Sequence, residues 1–139
     1  MSGGVSNTPL NKKLGIHGDV VFTVLHAPPT FMADLGDTGD AIWQRHLMPP
    51  IDIIVGFYTE KTALRDEWKT LADAAQPAGS VWVAWPKKPT GGGGDITEDV
   101  LRATMLKAGW LDNKACAIDD EWMAIRFVMR KDTRPPWKR

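Results

Sequence analysis

Three short apolar runs, each bounded by turn residues, constrain this chain more than any other feature. Residues 19–25 carry Val20, Val21, Phe22, Val24 and Leu25, residues 51–58 carry Ile51, Ile53, Ile54, Val55, Phe57 and Tyr58, and residues 80–85 carry Val81, Trp82, Val83, Ala84 and Trp85. Near-continuous apolar runs are what strands show when both faces are buried, the condition of a mainly parallel sheet with helices on either side.

The segments between the runs agree. From residue 60 to 76, Leu64, Trp68, Leu71 and Ala75 fall at steps of four, three and four, one face of a helix, with Lys61, Arg65, Glu67 and Lys69 elsewhere. Gly79 and Pro86 bound the third run. Asp95 followed by Glu98 predicts a reciprocal capping box that opens a helix ending near Ala108 and Gly109, with Val100 or Leu101, Met105 and Ala108 inward. Residues 114–118 and 122–129 read as strands about the turn Asp119-Asp120-Glu121, an antiparallel hairpin closing one sheet edge. After the first strand, His26-Ala27-Pro28-Pro29 leads to Thr30 as the cap of a short helix through Leu35; Gly36, Asp37, Gly39, Pro49 and Pro50 then mark an irregular connection. Residues 1–7 read as a flexible terminus, 8–130 as one domain and 131–139 as a basic tail. The expected fold is α/β: a truncated Rossmann-like three-layer sandwich of about five strands, mainly parallel, with the hairpin at its end.

Composition removes several function classes. Seventeen Lys plus Arg balance seventeen Asp plus Glu across 139 residues, so net charge does not support a dedicated nucleic-acid binder or a binder of anionic membranes. No apolar run approaches the roughly 18 residues of a membrane span. The single cysteine, Cys116, has no internal disulfide partner and the start does not resemble a signal peptide, which makes a reducing cytoplasm the expected location. His17, His26 and His46 lack the spacing of metal ligands, so no metal is expected, and Cys116 between Ala115 and Ala117 reads as a small strand residue rather than a nucleophile. The seven tryptophans read as packing residues, each worth about 4–6 kcal/mol gross when buried.

The order strand, helix, strand ending in W-P-K-K, helix, antiparallel hairpin resembles the second half of class I S-adenosylmethionine-dependent methyltransferases. That family holds its cofactor over a glycine-rich turn after the first strand, where only residues without a Cβ leave room. Here that turn is His26-Ala27-Pro28-Pro29-Thr30, with no glycine and with two prolines that remove amide donors, so no cofactor is expected. At a finer level T-P-L-N-K-K-L-G (residues 8–15), W-V-A-W-P-K-K (82–88), D-I-T-E-D-V (95–100) and D-N-K-A-C-A-I-D (112–119) followed by Trp122 resemble an uncharacterised bacterial family, a resemblance that implies no activity, cofactor or partner. The tetraglycine of residues 91–94 departs from it and predicts a mobile loop.

The sharpest candidate site lies beyond the third strand, at Trp85, Lys87, Lys88, Asp95, Thr97 and Asp99: two lysines and a glycine run before a helix start suit an anion, although Asp95 and Glu98 place negative charge at the same helix end. Lys12 and Lys13 join Lys87 and Lys88 in one basic patch if the segments fold together. The tail bears Arg130, Lys131, Arg134, Lys138 and Arg139 against Asp132. His26 sits where a base faces the crevice of an α/β sheet, without a G-x-S-x-G serine. Trp122 beside Asp119, Asp120 and Glu121 reads either as a core aromatic next to a turn or as a contact surface. Two readings follow. One is a non-enzymatic module binding a protein or a small anionic ligand through the lysine loop. The other is a degenerate methyltransferase-like enzyme with Asp52, Trp85, Pro86 and His26 lining its crevice. One sequence does not set the partner or the oligomeric state.

Overall fold

The structure, a computed structural model, describes residues 8–75, 78–87 and 94–129. Its elements run α1 (Leu10–Leu14), β1 (Val21–Leu25), α2 (Phe31–Leu35), β2 (Ile42–Trp43), β3 (Ile53–Phe57), α3 (Lys61–Ala75), β4 (Ser80–Pro86), α4 (Glu98–Lys107), β5 (Trp110–Ala117) and β6 (Trp122–Met129). The strands form one sheet in the order β2-β1-β3-β4-β6-β5. β2, β1, β3 and β4 are parallel, and β6 runs antiparallel to both β4 and β5. The chain steps outward from β1 to β2 and then crosses back to β3, so the strand order reverses between β1 and β3; in such sheets the carboxyl ends of those strands border a crevice.

The apolar runs are buried on both faces, as their composition dictates. Along β3 and β4, Ile54, Val81, Val83 and Trp85 pack under α3 and α4, while Ile53, Val55, Phe57, Trp82 and Ala84 pack under α1 and α2. The predicted face of α3 is the observed one: Leu64, Trp68, Leu71 and Ala75 are buried, and Trp68 meets Trp110 edge to face at 5.2 Å. Burying side chains of this size contributes about 1.5–3 kcal/mol each. Trp82, 1% exposed, donates its indole N–H to the Leu14 carbonyl at 3.0 Å and so ties α1 to the sheet.

Several boundaries differ from the sequence reading, each for a local reason. The sheet has six strands rather than about five because the connection after α2 contains β2, only two residues long and pairing Val21 with Ile42. Five-residue α1 was likewise too short to show a helical period, although its Leu10 and Leu14, four apart, are both buried. β5 begins at Trp110 rather than at residue 114, because a bulge between Asp112 and Lys114 breaks the alternation that marks a strand. Thr30 precedes α2 with helical backbone angles and makes no capping bond. The expected box at Asp95 is not formed: Thr97 caps α4 by accepting from the Val100 amide at 3.2 Å, while the Asp95 carboxylate accepts from the Lys61 amide at 2.6 Å and caps α3 instead. Leu101 and Met105 face inward as expected, whereas Ala108 follows the helix end and is exposed. The hairpin turn is held by Asp119, whose carboxylate accepts from the Glu121 and Trp122 amides at 2.8 and 2.9 Å. Trp122 packs edge to face on Phe57 at 5.0 Å, which makes it a partly buried core aromatic.

Candidate functional site

The parallel register Leu25↔Gly56 and Phe57↔Ala84 lines up the carboxyl ends of β1, β3 and β4, so that His26, Tyr58 and Trp85 follow one another along one edge. His26 has φ 60°, a left-handed conformation that costs a residue with a Cβ about 1–2 kcal/mol. Its ring meets Tyr58 edge to face at 5.4 Å, and its Nε2 lies 2.9 and 3.1 Å from the two carboxylate oxygens of Glu67 on α3. The Tyr58 hydroxyl donates to the same carboxylate at 2.6 Å. Burial and then the neighbouring carboxylate push the Tyr58 phenol far above its usual value, so it stays a donor. Burial pushes the Glu67 carboxyl up, but the hydrogen bonds from Tyr58 and His26 and the His26 charge outweigh it and hold it below 4.5. Ionised Glu67 only accepts, so Nε2 carries the proton in neutral His26 and Nδ1 carries the lone pair. The arrangement is a carboxylate-oriented imidazole anchored by a buried phenol.

Glu67 and Tyr58 were not singled out from the sequence. Glu67 lies beside the apolar stripe of α3 and reads as solvated. The available signal was Gly56 inside an otherwise bulky strand: a Cβ there would lie 2.7 Å from the Tyr58 ring, so the glycine makes room for that ring to fold back along β3.

Beyond β4 the structure brings part of the expected constellation together. A cavity of about 340 Å³ is lined by Trp85, Pro86, Ile96 and Met123 on its apolar side and by Lys87 and Thr97 on its polar side. Glu98 also lines it, with its carboxylate 2.7 Å from Arg102. Asp95 is turned away to α3, and Lys88 and residues 91–93 of the tetraglycine lie outside the described residues, as does the tail. Lys12 and Lys13 do not join Lys87: they line a different cavity, with Asp52, at the amino ends of the strands. Asp52 belongs to that edge, where it accepts from the Val21 amide at 2.8 Å, and so does not line the crevice beside His26. Cys116 is half-buried, and burial pushes its thiol up, away from nucleophile chemistry. Among the described residues no group of three or more metal-ligating side chains converges, and no helix is long and apolar enough to cross a membrane.

No protein-family model and no curated protein sequence matches the chain. Solved structures do resemble it. Magnesium protoporphyrin IX methyltransferase from Synechocystis PCC 6803, determined with bound SAH, superposes with a TM-score of 0.55 at 8% identity over 83% of this chain and 75% of that one. The DhpI–SAH complex gives 0.53 at 12% identity over 88% and 83%. A SAM-dependent methyltransferase from Aquifex aeolicus gives 0.52 at 10% identity over 84% and 85%. At these identities the likeness is one of fold: the chain has the mixed, Rossmann-like sheet of the class I methyltransferases.

Proposed function

We propose that this is a methyltransferase-like Rossmann module that binds a small organic anion in the cavity beyond β4. The observation that carries the reading is the pairing of an apolar wall, Trp85, Ile96 and Met123, with Lys87 at the edge where open α/β sheets bind ligands. The Glu98 carboxylate at the rim is paired with Arg102, which also lies 3.2 Å from Asp112, and Lys87 is the cation that an incoming carboxylate meets. Against an adenosyl cofactor stands the turn after β1: two prolines, no glycine, and His26 clasped to Glu67 and Tyr58 where backbone amides would otherwise face the ligand. The W-P-K-K segment, one of the stretches that resemble an uncharacterised bacterial family, supplies Trp85, Pro86 and Lys87 to this cavity. The test is amide chemical-shift mapping with benzoate as probe and S-adenosylhomocysteine as comparator. Benzoate is expected to shift Lys87, Ile96 and Thr97 in the wild type and not in Lys87→Glu. Saturable one-to-one binding of S-adenosylhomocysteine with shifts at residues 26–30 would overturn the reading.

A second reading is favoured by one observation, the oriented imidazole of His26 beside the strand-order reversal. In a methyltransferase-like enzyme Nδ1 of His26 would take a proton from the acceptor substrate while Glu67 held the ring. This reading requires the adenosyl binding just described.

A further inference from the structure

The cavity at the opposite, amino-terminal edge of the sheet is about 300 Å³ and gathers cations from three elements: Lys12 and Lys13 of α1, Lys114 of β5 and Arg126 of β6. One carboxylate, Asp52, also lines it. Asp52 already accepts from the Val21 amide at 2.8 Å. Among the described residues none of the four cations takes part in an ion pair. We infer that this cavity is a binding site for a small diphosphate-bearing anion, distinct from the ligand site at the carboxyl edge and independent of it.

Three features of the sheet support the assignment. Lys114 and Arg126 stand directly opposite each other in the β5–β6 register, a like-charge pair that destabilises a sheet unless an anion lies between the two groups. The bulge between Asp112 and Lys114 sets that register and inserts Asn113, whose side-chain oxygen accepts from Arg126 Nη1 at 3.1 Å and so orients the guanidinium. Trp82 stands opposite Arg126 on β4 and walls the cavity, its ring fixed by the bond to Leu14.

The position of Lys12 and Lys13 in the last turn of α1 suits the carbonyl end of a helix by itself. It does not account for Lys114 and Arg126. Four cations against one carboxylate leave three positive charges, the complement of a diphosphate near neutral pH. Arg126 supplies the fork that matches phosphate oxygens and the lysines supply point charges. A concave site of this volume on a chain of zero net charge favours a small molecule over a long phosphate backbone, which needs an extended positive surface.

The test is calorimetry of the full chain with inorganic pyrophosphate at low ionic strength, with ADP in a parallel titration. One-to-one binding of pyrophosphate is expected, weakened about tenfold or more in Arg126→Gln. ADP binding as tightly assigns the site to phosphate groups alone, and tighter binding assigns it to a nucleoside diphosphate; both are expected results. Lys114→Gln, at an exposed edge position, is expected to raise the melting temperature of the ligand-free protein, because it removes the like-charge pair, and to lose much of the further rise that pyrophosphate gives the wild type. Absence of binding, equal binding by Arg126→Gln, or a lower ligand-free melting temperature in Lys114→Gln would overturn the proposal. Tighter binding of a short oligouridylate than of pyrophosphate, abolished by Lys131→Gln with Arg134→Gln in the tail, would overturn it in favour of nucleic acid.

Discussion

The two edges of the sheet handle charge in opposite ways. At the carboxyl edge, among the described residues, the carboxylates have partners within the chain, Glu67 with His26 and Tyr58, Glu98 with Arg102 and Asp95 with the first amide of α3, and Lys87 alone of the cations lining the cavity there is left open. At the amino edge, among the described residues, four cations line one cavity with a single carboxylate that is already bonded to a backbone amide. Folding gains little from gathering unpaired like charges, so that arrangement points to a ligand, whereas a self-satisfied network holds elements together whether or not anything binds. The edge where Rossmann-like sheets usually bind is therefore the better knitted of the two.

Two glycines make the contrast testable through stability. Gly79, where the chain enters β4 at the amino edge, faces fixed backbone: a Cβ there would lie 2.5 Å from the Ala75 carbonyl oxygen and 2.6 Å from that of Ile51. Gly56, near the carboxyl edge, faces the Tyr58 ring. Carbonyls within a helix end and a sheet cannot step aside, while a ring can turn at the cost of its contacts. Gly79→Ala is expected to cost the upper part of the usual overpacking range, about 3 kcal/mol, and Gly56→Ala about 1–2 kcal/mol, both read by urea unfolding. Gly56→Ala is also expected to loosen the Glu67 clasp and Gly79→Ala to leave it intact, which the proton resonances of the His26 ring would report. Equal costs would mean that the two edges are equally rigid.

How much of this was legible depended on whether local pattern or distant pairing decided it. The buried runs of β1, β3 and β4 and the stripe Leu64-Trp68-Leu71-Ala75 announce themselves because burial on both faces, or on one helical face, leaves a periodic trace. β2 leaves none, since a strand of two residues has no period, and its exposed Ile42 looks like any loop residue. The cap exchange was also illegible: Asp95 three residues before Glu98 fits a capping box, but its partner is the Lys61 amide, 34 residues earlier in the chain. Trp85, Lys87 and Thr97 could be placed together because strand, loop and helix start are consecutive. Glu67, Lys114 and Arg126 could not, because their neighbours are set by the sheet order and, for the last two, by a bulge that shifts the register by one residue.

A smaller effect separates the carboxyl edge from a plain structural clasp by pH. Glu67 sits below its ordinary value of 4.5 in the folded chain. A carboxyl depressed on folding contributes stability above its unfolded value and loses it as the pH falls through the folded one. The wild type is therefore expected to exceed Glu67→Gln in stability at neutral pH, with the difference shrinking as the pH drops below 4.5. Tyr58→Phe is expected to move the Glu67 titration upward, toward 4.5, by removing one of the hydrogen bonds that favour the ionised form. Carboxyl chemical shifts followed through acid titration measure both, and an unchanged Glu67 value in Tyr58→Phe would assign the depression to His26 alone.

The smallest expected effects tell apart the two helix starts that the sequence merges. Thr97→Ala removes the bond to the Val100 amide and is expected to cost about 1 kcal/mol, with faster amide exchange confined to the first turn of α4. Asp95→Ala, two residues earlier, is expected to cost a similar amount but to speed exchange at Lys61, in the first turn of α3, because its carboxylate bonds there. If Asp95→Ala instead loosened α4, Asp95 would be the cap of α4 that its spacing from Glu98 suggests. Negative charge would then sit at the mouth of the cavity beyond β4, opposite Lys87, and the organic anion proposed for that cavity would meet a carboxylate rather than a free lysine. The exchange pattern of one alanine variant thus bears on the helix end and on the sign of the ligand together.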